Sequence, residues 1–120
     1  MNILVVDDLS FMRSIIRDIL VAGGYSIAGE ASDGLDCLEK YEEKRPDLVL
    51  LDIAMPRMDG LACLKELKKR HPDSLVVMCS SLGDQERIIK AIQLGASDFI
   101  VKPFQKDRLL SAVKKALIRG

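Results

Sequence analysis

The chain has 120 residues, 48% of them hydrophobic and 30% charged, with 18 basic and 18 acidic side chains and a formal net charge of zero. That is the length of one domain with a core of its own, and the charge balance excludes a general nucleic-acid or membrane-surface binder, which needs a basic excess. Cys37, Cys63 and Cys79 form no C-x-x-C pair and His71 is the sole histidine, so a zinc site is not expected, and unpaired thiols fit a reducing cytoplasm better than secretion.

The first stretch, Ile3-Leu4-Val5-Val6, is continuously apolar and meets Asp7-Asp8 at once. It is no signal peptide and reads as a strand buried on both faces. Ser10 is placed to cap the helix that follows, whose Met12, Ile15, Ile16, Ile19 and Leu20 recur at helical spacing. Gly23-Gly24 closes that helix. Tyr25 to Ala31 alternates weakly and reads as a lateral strand. Asp33-Gly34 turns the chain into a helix marked by Leu35, Leu38 and Tyr41, which Pro46 stops.

Leu48-Val49-Leu50-Leu51 is a second unbroken apolar run, and it delivers Asp52 to a strand's carboxyl end. Met55-Pro56 and Asp59-Gly60 punctuate the loop after it. Leu61, Leu64 and Leu67 line the next helix, and His71 falls in a solvated break before Pro72. Leu75 to Cys79 is a fourth buried strand running into Ser80-Ser81. Gly83-Asp84 opens a helix with Ile88, Ile89 and Ile92 as its apolar stripe. Asp98 to Val101 is a short fifth strand followed by Lys102-Pro103, and Leu109, Leu110, Val113 and Leu117 mark the last helix. The three cysteines read as small buried hydrophobes, and Met12, Met55 and Met58 as filling for core and loop.

Strand and helix thus alternate five times, which predicts an α/β domain over residues 1–120, a parallel sheet with helices on both faces. Such sheets bind ligands beyond the carboxyl ends of their strands. Asp7, Asp8, Asp52, Ser80, Ser81 and Lys102 all fall at that edge. Clustered carboxylates repel one another, and a hard divalent cation relieves them. Mg²⁺ takes oxygen ligands and commonly shares itself with a phosphate. Lys102 offers a point charge to a phosphoryl oxygen and Ser80 a hydroxyl donor. The chemistry that fits is in-line phosphoryl transfer to a carboxylate, with Asp52 as nucleophile because it stands alone on a central strand, and Asp7 and Asp8 as metal ligands. Plainer roles exist as well: a strand end and the start of a turn for Asp52, a helix-capping turn for Asp7-Asp8, an ordinary strand-end hydroxyl for Ser80, core packing for Phe99.

Asp7-Asp8 after the first strand, Asp52 followed by Met55-Pro56 and Asp59-Gly60, Ser80, and Lys102-Pro103 together resemble the receiver domain of two-component response regulators over essentially the whole chain. Phe11-Met12-Arg13 and the run Phe99 to Phe104 resemble its chemotaxis branch, which also includes the receiver of the chemotaxis methylesterase. The resemblance implies a doubly wound sheet of order 2-1-3-4-5 with five helices, a fold for which this family is itself a standard example. It implies that Asp52 accepts phosphate from a sensor histidine kinase. It implies that Asp8, Asp52 and the Ala54 backbone carbonyl bind Mg²⁺ directly, with Asp7 acting mostly through water. Ser80 and Lys102 would contact the phosphoryl group, and Lys102-Pro103 would be cis.

As a switch, Ser80 would move toward the phosphate, Phe99 would follow, and the face of the fourth helix, fifth strand and fifth helix would change. The implied partners are a chemotaxis kinase, a flagellar motor switch or adaptor protein, and a phosphatase, with no direct contact to nucleic acid or membrane. The chain would be a phosphoacceptor rather than an enzyme acting on other substrates. Phe99 stands where tyrosine is common, and Ala54 where many relatives are polar. The alternative is a receiver belonging to a longer DNA-binding or methylesterase regulator. A phosphatase with an aspartyl-phosphate intermediate would want a second aspartate where Ala54 stands, and a dinucleotide enzyme a Gly-rich turn where Asp7-Asp8 stands.

Overall fold

The computed structural model describes residues 1–81 and 84–120. The elements run β1 (Asn2–Val6), α1 (Ser10–Ala22), β2 (Ser26–Ala31), α2 (Gly34–Lys44), β3 (Leu48–Asp52), α3 (Gly60–Arg70), β4 (Val76–Ser81), α4 (Gln85–Gln93), β5 (Asp98–Lys102) and α5 (Lys106–Arg119). All strand pairings are parallel and the sheet order is β2-β1-β3-β4-β5, as the family resemblance implies. The expected start of the fourth helix at Gly83 lies outside the described residues.

The apolar runs become inner strands because both sheet faces are covered, so alternate side chains enter two separate cores. Leu4, Val6, Val49, Leu51, Val76 and Met78 pack with Cys37, Leu38 and Tyr41 of α2, Cys63, Leu64 and Leu67 of α3 and Ala91 of α4. Ile3, Val5, Leu48, Leu50, Val77, Cys79 and Ile100 pack with Ile16 and Leu20 of α1 and Leu109, Ala112, Val113 and Ala116 of α5. All three cysteines are buried and unpaired, so the reading of them as core residues holds.

Four local expectations need correction. Ser10 is the first residue of α1, not its cap; the capping position is Leu9, and it is the Asp7 carboxylate that accepts the Leu9 N–H, at 3.0 Å. In α2 the inward stripe is Gly34, Cys37, Leu38 and Tyr41, and Leu35 is exposed, because Asp33 caps the helix and fixes its rotation. In α4 only Ala91 is buried, while Ile89 and Ile92 face outward. The small alanine brings that helix onto the sheet, Ile88 of the expected stripe is half-buried, and Ile89 and Ile92 are turned outward. His71 is no free loop residue: it follows α3, donates from Nε2 to Glu42 at 2.7 Å, accepts from Arg45 at Nδ1 and lies 4.8 Å from the Tyr41 ring.

Candidate functional site

Strand register sets the site. Val6 pairs with Leu51, Asp52 with Cys79, Cys79 with Ile100, and Ser81 with Lys102, so Asp7 and Asp52 finish level at the sheet edge, with Ser80 one residue and Lys102 two residues further along it. Side-chain alternation then sorts them. Asp7, Asp52 and Lys102 continue the rows of Val5, Leu50 and Ile100, on the α1/α5 face. Ser80 continues the row of Met78, on the α2/α3/α4 face, where Phe99 also packs against the core. Ser80 and Phe99 are thus diagonal neighbours on one face, since Phe99 pairs with Met78 and Val101 with Ser80.

Asp7 is 1% exposed and Asp52 6%. The Lys102 ammonium lies 2.7 Å from Asp7 Oδ2 and 3.3 Å from Asp52 Oδ1. Asp8 is exposed, yet one carboxylate oxygen from each of Asp7, Asp8 and Asp52 lies within 4.8 Å of the others. Burial pushes the Asp52 carboxyl up to about 6; Lys102 opposes that shift, and the charges of Asp7 and Asp8 add to it. Burial disfavours the Lys102 ammonium, but its hydrogen bond to Asp7 and the charges of Asp52 and Asp7 outweigh this and hold it above the ordinary lysine range. An all-oxygen donor set carrying more acid than one lysine neutralises fits a hard divalent cation such as Mg²⁺. The Ser80 hydroxyl is buried and has no hydrogen-bond partner among the described residues. It is hydrogen-bonded neither to Lys102 nor to Asp52.

Ala54 is exposed in the β3–α3 loop. That loop is fastened by contacts with little trace in the sequence pattern. Ile53 N–H donates to Cys79 O at 3.0 Å, and Gly60 N–H donates to Ile53 O at 2.7 Å. A Cβ on Gly60 would collide with the Asp52 carbonyl oxygen, so glycine is required there by space. The Asp59 carboxylate accepts the Ala62 N–H and caps α3. Arg57 Nε donates to Asp33 Oδ2 at 2.8 Å, and Gly34 N–H donates to Met58 O at 2.9 Å. On the other side Arg13 Nη1 donates to the Asp7 carbonyl oxygen and its Nε to Glu30 at 3.0 Å. The sequence reading places Asp33 in a turn and Arg13 in a family motif but foresees none of these contacts of Asp33, Arg57, Arg13 and Glu30. For Asp33 the Asp-Gly pair was a signal, since aspartate caps helices; for the arginines no spacing gives one. The Lys102–Pro103 bond is cis.

Residues 3–114 match the model of the response regulator receiver domain. The chemotaxis protein CheY of Bacillus subtilis is 53% identical over 116 residues, covering 97% of this chain and 97% of its own length. The structure also superposes on CheY in a complex of CheX, CheY, BeF₃ and Mg²⁺ from Borrelia burgdorferi, with a TM-score of 0.92 and 34% identity over 96% of this chain and 87% of that one. A third match is the receiver domain of NtrX from Brucella abortus, with a TM-score of 0.93 and 42% identity over 98% and 99% of the two chains.

Proposed function

The chain belongs to the response regulator receiver domain family and is closely related to chemotaxis response regulators, and from that membership we propose that it is a signalling switch phosphorylated on Asp52. The observation that carries this reading is the Lys102 ammonium set between Asp7 and Asp52, at 2.7 and 3.3 Å, above a carboxylate triad at the sheet edge. In the proposed step an Asp52 carboxylate oxygen attacks the phosphorus of a phosphohistidine on a sensor kinase. The P–N bond breaks and the imidazole nitrogen keeps the electron pair. Lys102 turns from Asp52 to a phosphoryl oxygen and keeps its bond to Asp7. Asp8, Asp52 and the Ala54 carbonyl would hold Mg²⁺, with Asp7 acting through water, and the ion would neutralise charge on the transferring oxygens.

The Ser80 hydroxyl, without a hydrogen-bond partner among the described residues, supports the second half of the reading. Donating to a phosphoryl oxygen gives it a partner and draws it from the face it shares with Phe99. Phe99 follows, and the α4–β5–α5 face, where Ile89 and Ile92 are exposed, changes what it offers. The proposed target on that face is a flagellar motor switch or an adaptor protein. The Borrelia complex, in which CheY accompanies CheX, supports a second kind of partner of the CheX type. The activity proposed is that of a phosphoacceptor, not of an enzyme acting on outside substrates. Its proposed compartment is the cytoplasm, which suits three buried thiols; no helix among the described residues is long and apolar enough to cross a membrane.

The test is an intact-mass spectrum after incubation with acetyl phosphate and Mg²⁺, beside Asp52→Asn. One base-labile phosphoryl adduct in the native protein alone is the expected result. An adduct that persists in the variant moves the acceptor elsewhere.

A further inference from the structure

The backbone of Arg57 has φ +62°, a left-handed conformation that a long side chain rarely adopts. Met58 N–H donates to Pro56 O at 2.7 Å, so Arg57 is the middle residue of a tight three-residue turn. Such a conformation persists where the surroundings over-determine it, and such residues cluster at functional sites. Here the surroundings are the start of α2. Asp33 is 5% exposed and both of its carboxylate oxygens are engaged: Oδ1 accepts the Asp36 N–H at 2.8 Å and Oδ2 accepts Arg57 Nε at 2.8 Å. Those bonds, Arg57's the stronger influence, hold the Asp33 carboxyl below its ordinary range. The next residue, Gly34, donates to Met58 O, and a Cβ there would stand 2.6 Å from that oxygen. One helix start therefore grips two consecutive loop residues.

At the loop's other end Ile53 is pinned through both its N–H and its carbonyl, to Cys79 and Gly60. Between the two sets of pins only Ala54, Met55 and Pro56 remain. We propose that Arg57 is a positioning residue for the metal site, holding the β3–α3 loop through its ion pair with Asp33 so that the Ala54 carbonyl and the Asp52 carboxylate serve one cation. The proposal rests on the reading of Asp52 and Ala54 as cation ligands. It makes a prediction opposite in sign to simple electrostatics. Removing the Arg57 cation leaves the neighbourhood more negative, which by Coulomb attraction strengthens Mg²⁺ binding. Releasing the loop weakens it, since partners behind metal ligands commonly govern about 10-fold or more in affinity.

Mg²⁺ titrated by calorimetry into the full chain separates the two. Arg57→Ala is expected to weaken Mg²⁺ binding by about 10-fold, Arg57→Lys to recover part of it, and Asp33→Asn, which keeps a capping oxygen, to weaken it likewise. The double variant is expected to be no worse than the weaker single one, because the two residues act as one tie. Arg57→Ala binding Mg²⁺ as tightly as the native chain, or more tightly, while Asp52→Asn has lost it, overturns the tie alone. Asp52→Asn binding Mg²⁺ as well as the native chain overturns both the site and the tie. If Arg57→Ala does not fold, Arg57→Lys and Asp33→Asn decide the matter by the same criterion.

Discussion

Lys102 approaches Asp52 to 3.3 Å, yet its shorter contact, 2.7 Å, is with Asp7. The lysine is therefore anchored on the residue proposed to serve the metal through water, and it reaches across to the proposed phosphoacceptor. Breaking one side of a buried ion pair is costly because the remaining charge is left uncompensated.

Lys102→Met keeps much of the stem and removes the charge. With Lys102 19% exposed and Asp7 nearly inaccessible, the expected loss in metal-free buffer is about 2 kcal/mol, less than the ~3–5 kcal/mol of fully buried pairs. The Asp52 titration should move further above about 6, since Lys102 is what opposes burial there. Urea denaturation and a carboxyl-carbon NMR titration read the two effects; unchanged values in both would show that the lysine does not couple to the acids.

Asp52 gives a prediction with a defined pH window. Its carboxyl is raised from 3.8 to about 6 in the fold, so ionising it there costs stability. The cost is complete above 6 and absent below about 4. Asp52→Asn should therefore be more stable than the native chain at pH 7.5 without metal, by roughly 1–2 kcal/mol after allowance for solvent screening. The gain should shrink as pH falls through 6 and vanish near 4. Saturating Mg²⁺ should stabilise the native chain and leave the variant unchanged. Thermal unfolding across pH, with and without Mg²⁺, tests both halves; a variant less stable at pH 7.5 without metal contradicts the first.

The sheet and the acids at its edge are legible in the sequence because buried parallel strands are unbroken apolar runs and each run here stops at a polar residue. Leu48 to Leu51 can hardly be read otherwise, and it carries Asp52 with it. Helix rotation is harder. In α2, Leu35 and Cys37 compete for the inner face, and Asp33, by capping, settles it. In α4, periodicity reports an isoleucine stripe but not which neighbour it meets, and Ala91 takes the sheet instead. The ties made by Arg57 and Arg13 join residues 24 and 17 positions apart, and they depend on the loops already being in place.

The outward isoleucines of α4 lead to a separate expectation. Ile89 is 59% exposed and Ile92 46%, so neither contributes much burial. Ile89→Ser and Ile92→Ser should each change stability by no more than about 0.5 kcal/mol, the usual range for surface positions. Phosphorylation of Asp52 from acetyl phosphate should also be unaffected, since both side chains are exposed on α4. Chemical denaturation and the phosphoryl adduct measured by mass are the readouts. A loss above about 2 kcal/mol would mean that this face is covered in solution.

Two glycines separate space from backbone conformation. Gly24 has φ +93° and nothing within 4 Å of the place a Cβ would take, whereas a Cβ on Gly60 would collide with the Asp52 carbonyl oxygen and stand 2.7 Å from the Ile53 Cα. Gly24→Ala should cost only the strain of a left-handed alanine, about 1 kcal/mol. Gly60→Ala cannot be relieved by turning a flexible side chain, because both obstacles are backbone. Either the first turn of α3 or the end of β3 must move, at a cost of about 3 kcal/mol or more. Whichever moves, the Gly60–Ile53 hydrogen bond that closes the loop behind Asp52 is disturbed. Gly60→Ala should therefore lose Mg²⁺ affinity as well as stability, while Gly24→Ala keeps the affinity intact. Calorimetric Mg²⁺ titration beside urea denaturation of both variants checks this, and equal Mg²⁺ binding by the two would mean that the loop's closure does not set the site.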